Sequence, residues 1–169
     1  MLKSKIEKAL NKQVELEASS SQFYLSMASW TESQGVLGTS NFLYHHSEEE
    51  RMHMLKLIKF INERGGTPII PALIKPPASF DSLKSVFESL LEHEINVTDS
   101  INNVVDLCLK EKDYTTHNFM QWYVAEQLEE EALARTILDK LKMIGNDKGG
   151  LYMFDRDLDQ MVKEMSKGQ

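Results

Sequence analysis

Apolar residues recur along most of this chain at the spacing of an α-helix, and each series is interrupted by a few polar positions on the same stripe. The first reads Ile6, Leu10, Gln13 or Val14, Glu17, Ser20 or Ser21, Tyr24 and Met27, which predicts a helix from about Ser4 to Gln34. Ser4, with Glu7 three residues on, is a candidate for its cap. Gly35 and Gly38 mark a short turn, after which Thr39 or Ser40 can cap a second helix ending near Arg64, ahead of Gly65-Gly66. Its seam is Leu43, His46, Glu50, His53, Leu57 and Phe60. A third helix, from Asp81 or Ser82 to Lys110, is seamed by Leu83, Phe87, Leu90, Glu94, Val97, Ile101, Val105 and Cys108, with Glu94 the one strongly polar member. The fourth, about Thr116 to Met143, turns Tyr123, Gln127, Glu130, Ala134, Ile137 and Leu141 inward.

The connections set the topology. EKDYTTHN is short, so helices three and four are antiparallel neighbours. Between helices two and three, Thr67 to Ser79 holds all four prolines, Pro68, Pro71, Pro76 and Pro77, which excludes helix. Its Ile69, Ile70, Leu73 and Ile74 point to an extended segment held against the bundle, giving an up-up-down arrangement with one long crossover. After Gly149-Gly150, the spacing of Leu151, Phe154, Leu158, Met161, Val162 and Met165 predicts a short amphipathic helix over about 150–165. A four-helix bundle over about 4–144 is complete without it, so it packs at one end of the bundle or against another subunit. The expected fold is all-α, one domain over residues 1–169.

The polar interruptions are not scattered. Glu17 is followed 33 residues later by Glu50 and 36 later by His53; Glu94 is followed 33 later by Gln127 and 36 later by Glu130, a constant offset of 77. Each triplet takes one acid from the first helix of a hairpin and a pair three apart, on one helix face, from the second. Four carboxylates, one imidazole and one amide then converge on the middle of the bundle. Burying so many acids is prohibitive unless cations neutralise them. Oxygen ligands with one nitrogen suit a pair of iron or manganese ions. Tyr24 lies two turns from Glu17 on the same face and can reach that centre, as a packing residue or as a hydrogen-bonding or redox neighbour. His45 and His46 have no such context in the pattern and read as surface or packing residues.

Composition narrows the setting. A chain of 169 residues with 41% apolar content can bury a real core, and its charge of -7 argues against nucleic acid as a partner. The single Cys108 excludes an intrachain disulfide and a thiolate metal site; in VVDLCL it reads as a buried structural thiol suited to a reducing compartment. No stretch has the length and apolarity of an export signal or a membrane span, so a cytoplasmic location is expected. The nine methionines are spread through the expected helices, as core filling.

With these residues in place, the chain resembles the ferritin superfamily, and most closely the non-haem bacterial ferritins. The resemblance runs through Glu17 with Tyr24, SEEERMHM around Glu50 and His53, His93-Glu94, NFMQWYVAEQLEEE from Asn118 to Glu131, and the fifth helix. It implies two irons between the helices, one held by Glu17, Glu50 and His53 and the other by Glu50, Glu94 and Glu130, with Glu50 bridging and Gln127 beside the pair. It also implies a third iron site from Glu49, Glu126, Glu129 and Glu130, oxidation of Fe(II) by dioxygen or peroxide, and a hollow shell of 24 subunits that holds ferric mineral. Bacterioferritins repeat Glu-x-x-His on the second pair, whereas this chain has Gln127 and Glu130, which adds negative charge. Met52 resembles the position at which bacterioferritins bind haem, but the rest of the pattern favours the non-haem branch, and no haem is expected. Rubrerythrin-like proteins add a cysteine-ligated iron domain for which one Cys is too few. DNA-protecting cages often carry a basic tail, unlike KEMSKGQ with its two lysines and one acid.

Overall fold

The computed structural model describes residues 1–165; the last four residues of the KEMSKGQ tail lie outside the described residues. Five helices follow in order: α1 Ser4–Ser33, α2 Leu37–Glu63, α3 Leu83–Lys110, α4 Tyr114–Ile144 and α5 Lys148–Met165. The contacts at their ends give the directions. The start of α1 meets the end of α2, with Leu2 N donating to Arg64 O at 3.2 Å, and the end of α3, where Lys5 pairs with Glu111 at 3.1 Å. Arg64 forks onto Asp113 at the start of α4, with both bonds at 3.1 Å. Helices α1 and α4 therefore run one way and α2 and α3 the other.

Two parallel helices in sequence need a crossover as long as the bundle, and the proline segment provides it. It is fastened along α1. Thr67 N donates to Glu7 (2.7 Å), Ile69 N to Asn11 (2.7 Å), Ser26 donates to Pro77 O, and Phe80 packs on Phe23 and Trp30. From Glu7 to Trp30 is roughly 35 Å of helix, within reach of an extended strap from Thr67 to Phe80. Ile69, Ile70 and Ile74 on this strap are exposed.

The apolar seams close into two clusters. One, around Tyr24, Met27, Phe42, Leu43, Phe87 and Ile137, takes in Phe154 and Leu158 of α5. The other, around Ile6, Leu10, Leu57, Ile61, Ile101 and Met120, fills the opposite half. Between them lies a polar waist in which Glu17, Glu50, His53, Glu94 and Gln127 are all buried. Cys108 is buried and free, its thiol pushed up to about 11 by burial.

The helix ends differ from expectation in instructive ways. Ser82 does cap α3, in a reciprocal box with Ser85. Ser4 does not cap α1; it is already helical, and Glu7 instead fastens the crossover. Neither Thr39 nor Ser40 caps α2, which starts earlier, at Leu37. Its free amides are served from across the molecule: Gly38 N and Thr39 N donate to the Asp155 carboxylate of α5 at 3.0 and 2.6 Å. Gly38 is thus a helical residue rather than part of the turn. A β-carbon on it would sit 1.9 Å from the Asp155 carbonyl oxygen, so glycine is what lets α5 approach. The turn itself belongs to Gly35, at φ +77°. Helix α4 starts at Tyr114, capped by Asp113, and α5 starts at Lys148, so Gly149 and Gly150 fall inside its first turn.

Candidate metal centre

The centre begins with α1 and α2. Glu17 lies on the α1 seam, and Glu50 and His53 one turn apart on α2. Their ligand atoms all lie within 4.8 Å of one another, with His53 Nδ1 3.6 Å from Glu50 Oε2 and 3.9 Å from Glu17 Oε2. Glu17 Oε2 and Glu50 Oε2 are buried without a hydrogen-bond partner. Two unpartnered carboxylate oxygens facing one imidazole nitrogen cost several kcal/mol per charge unless a cation sits among them. Burial raises the Glu17 carboxyl well above its usual range, and the nearby Glu50 charge raises it further. Glu50 is raised by burial and then by Glu94. Protons take the place of metal when the site is empty of charge-balancing cations.

The other hairpin supplies Glu94 from α3 and Gln127 and Glu130 from α4. Tyr24 donates its hydroxyl to Glu94 Oε1, and Gln127 Nε2 donates to Glu94 Oε2 at 2.8 Å. Each oxygen keeps a further lone pair, so the two donors aim the carboxylate without exhausting it. Burial, followed by the Glu94 and Glu50 charges, raises the Tyr24 phenol well above its usual value, so it stays a donor. Glu130 is pushed up to about 7, chiefly by burial; the imidazole of His46, with Nε2 3.8 Å from Glu130 Oε2, draws it the other way.

Glu49 Oε2 lies 2.7 Å from His46 Nδ1 and 3.2 Å from His45 Nδ1, and its charge acts on both Glu50 and Glu130. Glu126 is half-buried and Glu129 exposed, both on α4; burial raises the Glu126 carboxyl, and the charges of Glu129 and Glu49 add to it. Met52 is exposed on α2 and lines a groove with His45, Glu49, His53, Trp122 and Glu126.

Several residues that the seams placed inward, and Trp122 beside them, support the centre through partners that the pattern alone did not give. Gln13 donates to Glu17 Oε1 at 2.8 Å while its own carbonyl accepts from Ser100 of α3 at 2.6 Å, so the relay fixes which way the amide faces. Tyr123 donates to the His53 carbonyl at 2.8 Å, and Trp122 stands edge-on to the His53 ring at 5.2 Å. His46 proves to be buried and paired with acids. The signal was available, because Gln13, His46 and Tyr123 all stand on the inward seams.

A four-helix bundle that turns carboxylates and an imidazole from its helices into one inner waist, with Glu17, Glu50 and His53 clustered there, defines the class of dinuclear-carboxylate bundle proteins. Residues 7–144 match the ferritin family over its ferritin-like domain, and the chain belongs to that family. It is 46% identical over 158 residues to a protein of Haemophilus influenzae described as a probable bacterial non-heme ferritin-like protein, covering 94% of this chain and 96% of that one. It is 42% identical over 167 residues to a bacterial non-heme ferritin of Campylobacter jejuni, covering 99% and 100%. In three dimensions it is similar to an open pore ferritin from the hyperthermophilic archaeon Archaeoglobus fulgidus, with TM-score 0.92, 45% identity and 94% and 96% coverage. Among the described residues no helix is long and apolar enough to cross a membrane.

Proposed function

We propose that this chain is the subunit of a cytoplasmic shell of 24 copies, one domain over 1–169, in which Glu17, Tyr24, Glu50, His53, Glu94, Gln127 and Glu130 carry Fe(II) oxidation. It is a ferritin-like iron-storage protein with ferroxidase activity. The observation that carries this reading is the pair of orphaned oxygens, Glu17 Oε2 and Glu50 Oε2, facing His53 in the buried waist. Iron is the substrate. Glu17, Glu50 and His53 offer the donors for one Fe(II), and Glu50, Glu94 and Glu130 those for a second, so the Glu50 carboxylate can serve both. Two Fe(II) held by these donors would supply two electrons to one dioxygen, each becoming Fe(III) as dioxygen is reduced to the peroxide level, and the carboxylates would stabilise the Fe(III). Tyr24 and Gln127 hold Glu94 in register through these changes. Glu49, Glu126 and Glu129, with Glu130, are proposed as the third iron site and the way onward. The like charges of this acid group favour a cation that moves on to the mineral.

Aerobic titration of the iron-free protein with Fe(II), followed by sizing with iron and protein detected together, tests the proposal. Storage requires many irons per subunit co-eluting with a particle near 24 times the 19.4 kDa chain mass. The particle is expected to purify without a Soret band, because nothing around Met52 makes a case for haem. Loading that stops at about two irons per subunit would make the chain an oxidase rather than a store.

A further inference from the structure

Glu17 and Glu94, the acids that open the two triplets, are held in different ways. Both oxygens of Glu94 accept from neutral donors, Tyr24 and Gln127. The oxygens of Glu17 are unlike each other: Oε1 accepts from Gln13 Nε2 at 2.8 Å, and Oε2 is buried with no hydrogen-bond partner. Gln13 is fully buried one turn before Glu17 on α1, and its carbonyl oxygen accepts from Ser100 Oγ of α3 at 2.6 Å. Turning this amide over would set its oxygen against the Glu17 carboxylate, so the Ser100 bond keeps it in the donating sense. Ser100 is partly buried and lines a cavity of about 330 Å³ between α1 and α3. Through Gln13 it ties Glu17 to the helix that also carries Glu94.

We propose that Gln13 is a positioning residue for the first metal: it limits Glu17 to one donor oxygen and keeps that oxygen turned to His53, with Ser100 as its anchor. The proposal rests on the ferroxidase reading for the identity of that metal. With Oε1 engaged by an N–H, Oε2 is the atom left to bind, and it is the one that stands 3.9 Å from His53 Nδ1. A carboxylate that cannot chelate keeps the number of oxygens around the metal low. That disfavours Ca(II), which takes about six to eight oxygens and readily accepts both from one carboxylate. An ion that takes imidazole beside carboxylate loses less by it. An amide also serves better here than a further acid, because it holds Glu17 without adding charge to a waist that already buries Glu17, Glu50 and Glu94.

The test is anaerobic titration of the intact iron-free assembly with Co(II), whose visible absorption weakens as its coordination number rises. Parent, Gln13→Leu, Ser100→Ala and Ser100→Thr are compared. Gln13→Leu is expected to bind the first Co(II) at least ~10-fold more weakly, with fainter visible bands as Glu17 gains its second oxygen. Ca(II) should compete better in this variant than in the parent. Ser100→Ala should move the same way by a smaller factor. Ser100→Thr keeps the hydroxyl and has cavity room for its methyl, so it should match the parent. Parental affinity and spectrum in Gln13→Leu would overturn the proposal, and if that variant does not assemble, parental behaviour of Ser100→Ala would do the same. So would a Ser100→Ala protein whose melting temperature falls in chelator while its Co(II) spectrum and affinity stay parental, since that is a structural role alone. Co(II) uptake indifferent to His53→Ala would instead fell the ferroxidase reading, and the proposal with it.

Discussion

Glu50 has burial on every side, an oxygen with no partner and the charges of Glu94, Glu130 and Glu49 as electrostatic neighbours. Such a residue is kept for what binds it. Glu50→Ala removes a donor proposed for both irons, so the rapid phase after mixing two Fe(II) per subunit with oxygenated buffer should slow by at least ~10-fold. The particle should remain intact, since deleting a buried acid relieves repulsion in the metal-free bundle. Unchanged stopped-flow kinetics in intact Glu50→Ala particles would sink the assignment. Glu130 allows a pH test. Its folded-state value of about 7 against the ordinary 4.5 means that the fold holds this proton more tightly than the unfolded chain does. The resulting stabilisation is full below about 4.5 and is lost as pH rises through about 7, a change on the order of 3 kcal/mol. Metal-free protein in chelator should therefore melt at lower temperature as pH rises from about 5 to about 8, and Glu130→Gln should flatten part of that slope. Identical slopes in scanning calorimetry would contradict it. These acids were legible because 33- and 36-residue intervals repeat between Glu17 and Glu94. The His45–His46–Glu49 cluster was not, because adjacent residues on a helix ordinarily point about 100° apart and only rotamers bring both rings to one acid.

At the scale of elements, periodicity located all five helices, but caps were read well only where they are local. Ser82 and Ser85 are three apart and could be found in the sequence. The cap of α2 could not, because Asp155 is 116 residues from Thr39 and reaches it only when α5 has docked. Removing it should loosen two elements together. Asp155→Ala takes away the acceptor for two α2 amides and the Thr39 hydroxyl, at a cost of about 1–2 kcal/mol. Hydrogen exchange should show faster exchange at the start of α2 and through α5, with α3 unaffected. Protection confined to its parental pattern would mean that Phe154 and Leu158 hold α5 without this bond.

For the whole molecule, the crossover matters most. Its direction was readable from four prolines and a length too great for a tight turn, and its fastening to Glu7, Asn11 and Ser26 follows from running beside α1. Yet the strap turns Ile69, Ile70 and Ile74 outward, with Leu25 of α1 also exposed. A lone subunit would present that surface to water, whereas an oligomeric shell of ferritin subunits can cover it. Folding free energy and protein concentration then become linked by mass action. Ile70→Lys should lower the concentration-dependent part of stability while leaving the helical content of the subunit unchanged, read as the shift in melting temperature across a dilution series. A melting temperature that ignores dilution in the parent would show that each subunit stands alone. If it follows dilution, the quantity of protein a cell makes sets how firmly each copy is folded, and scarce chains would be the ones most open to proteolysis.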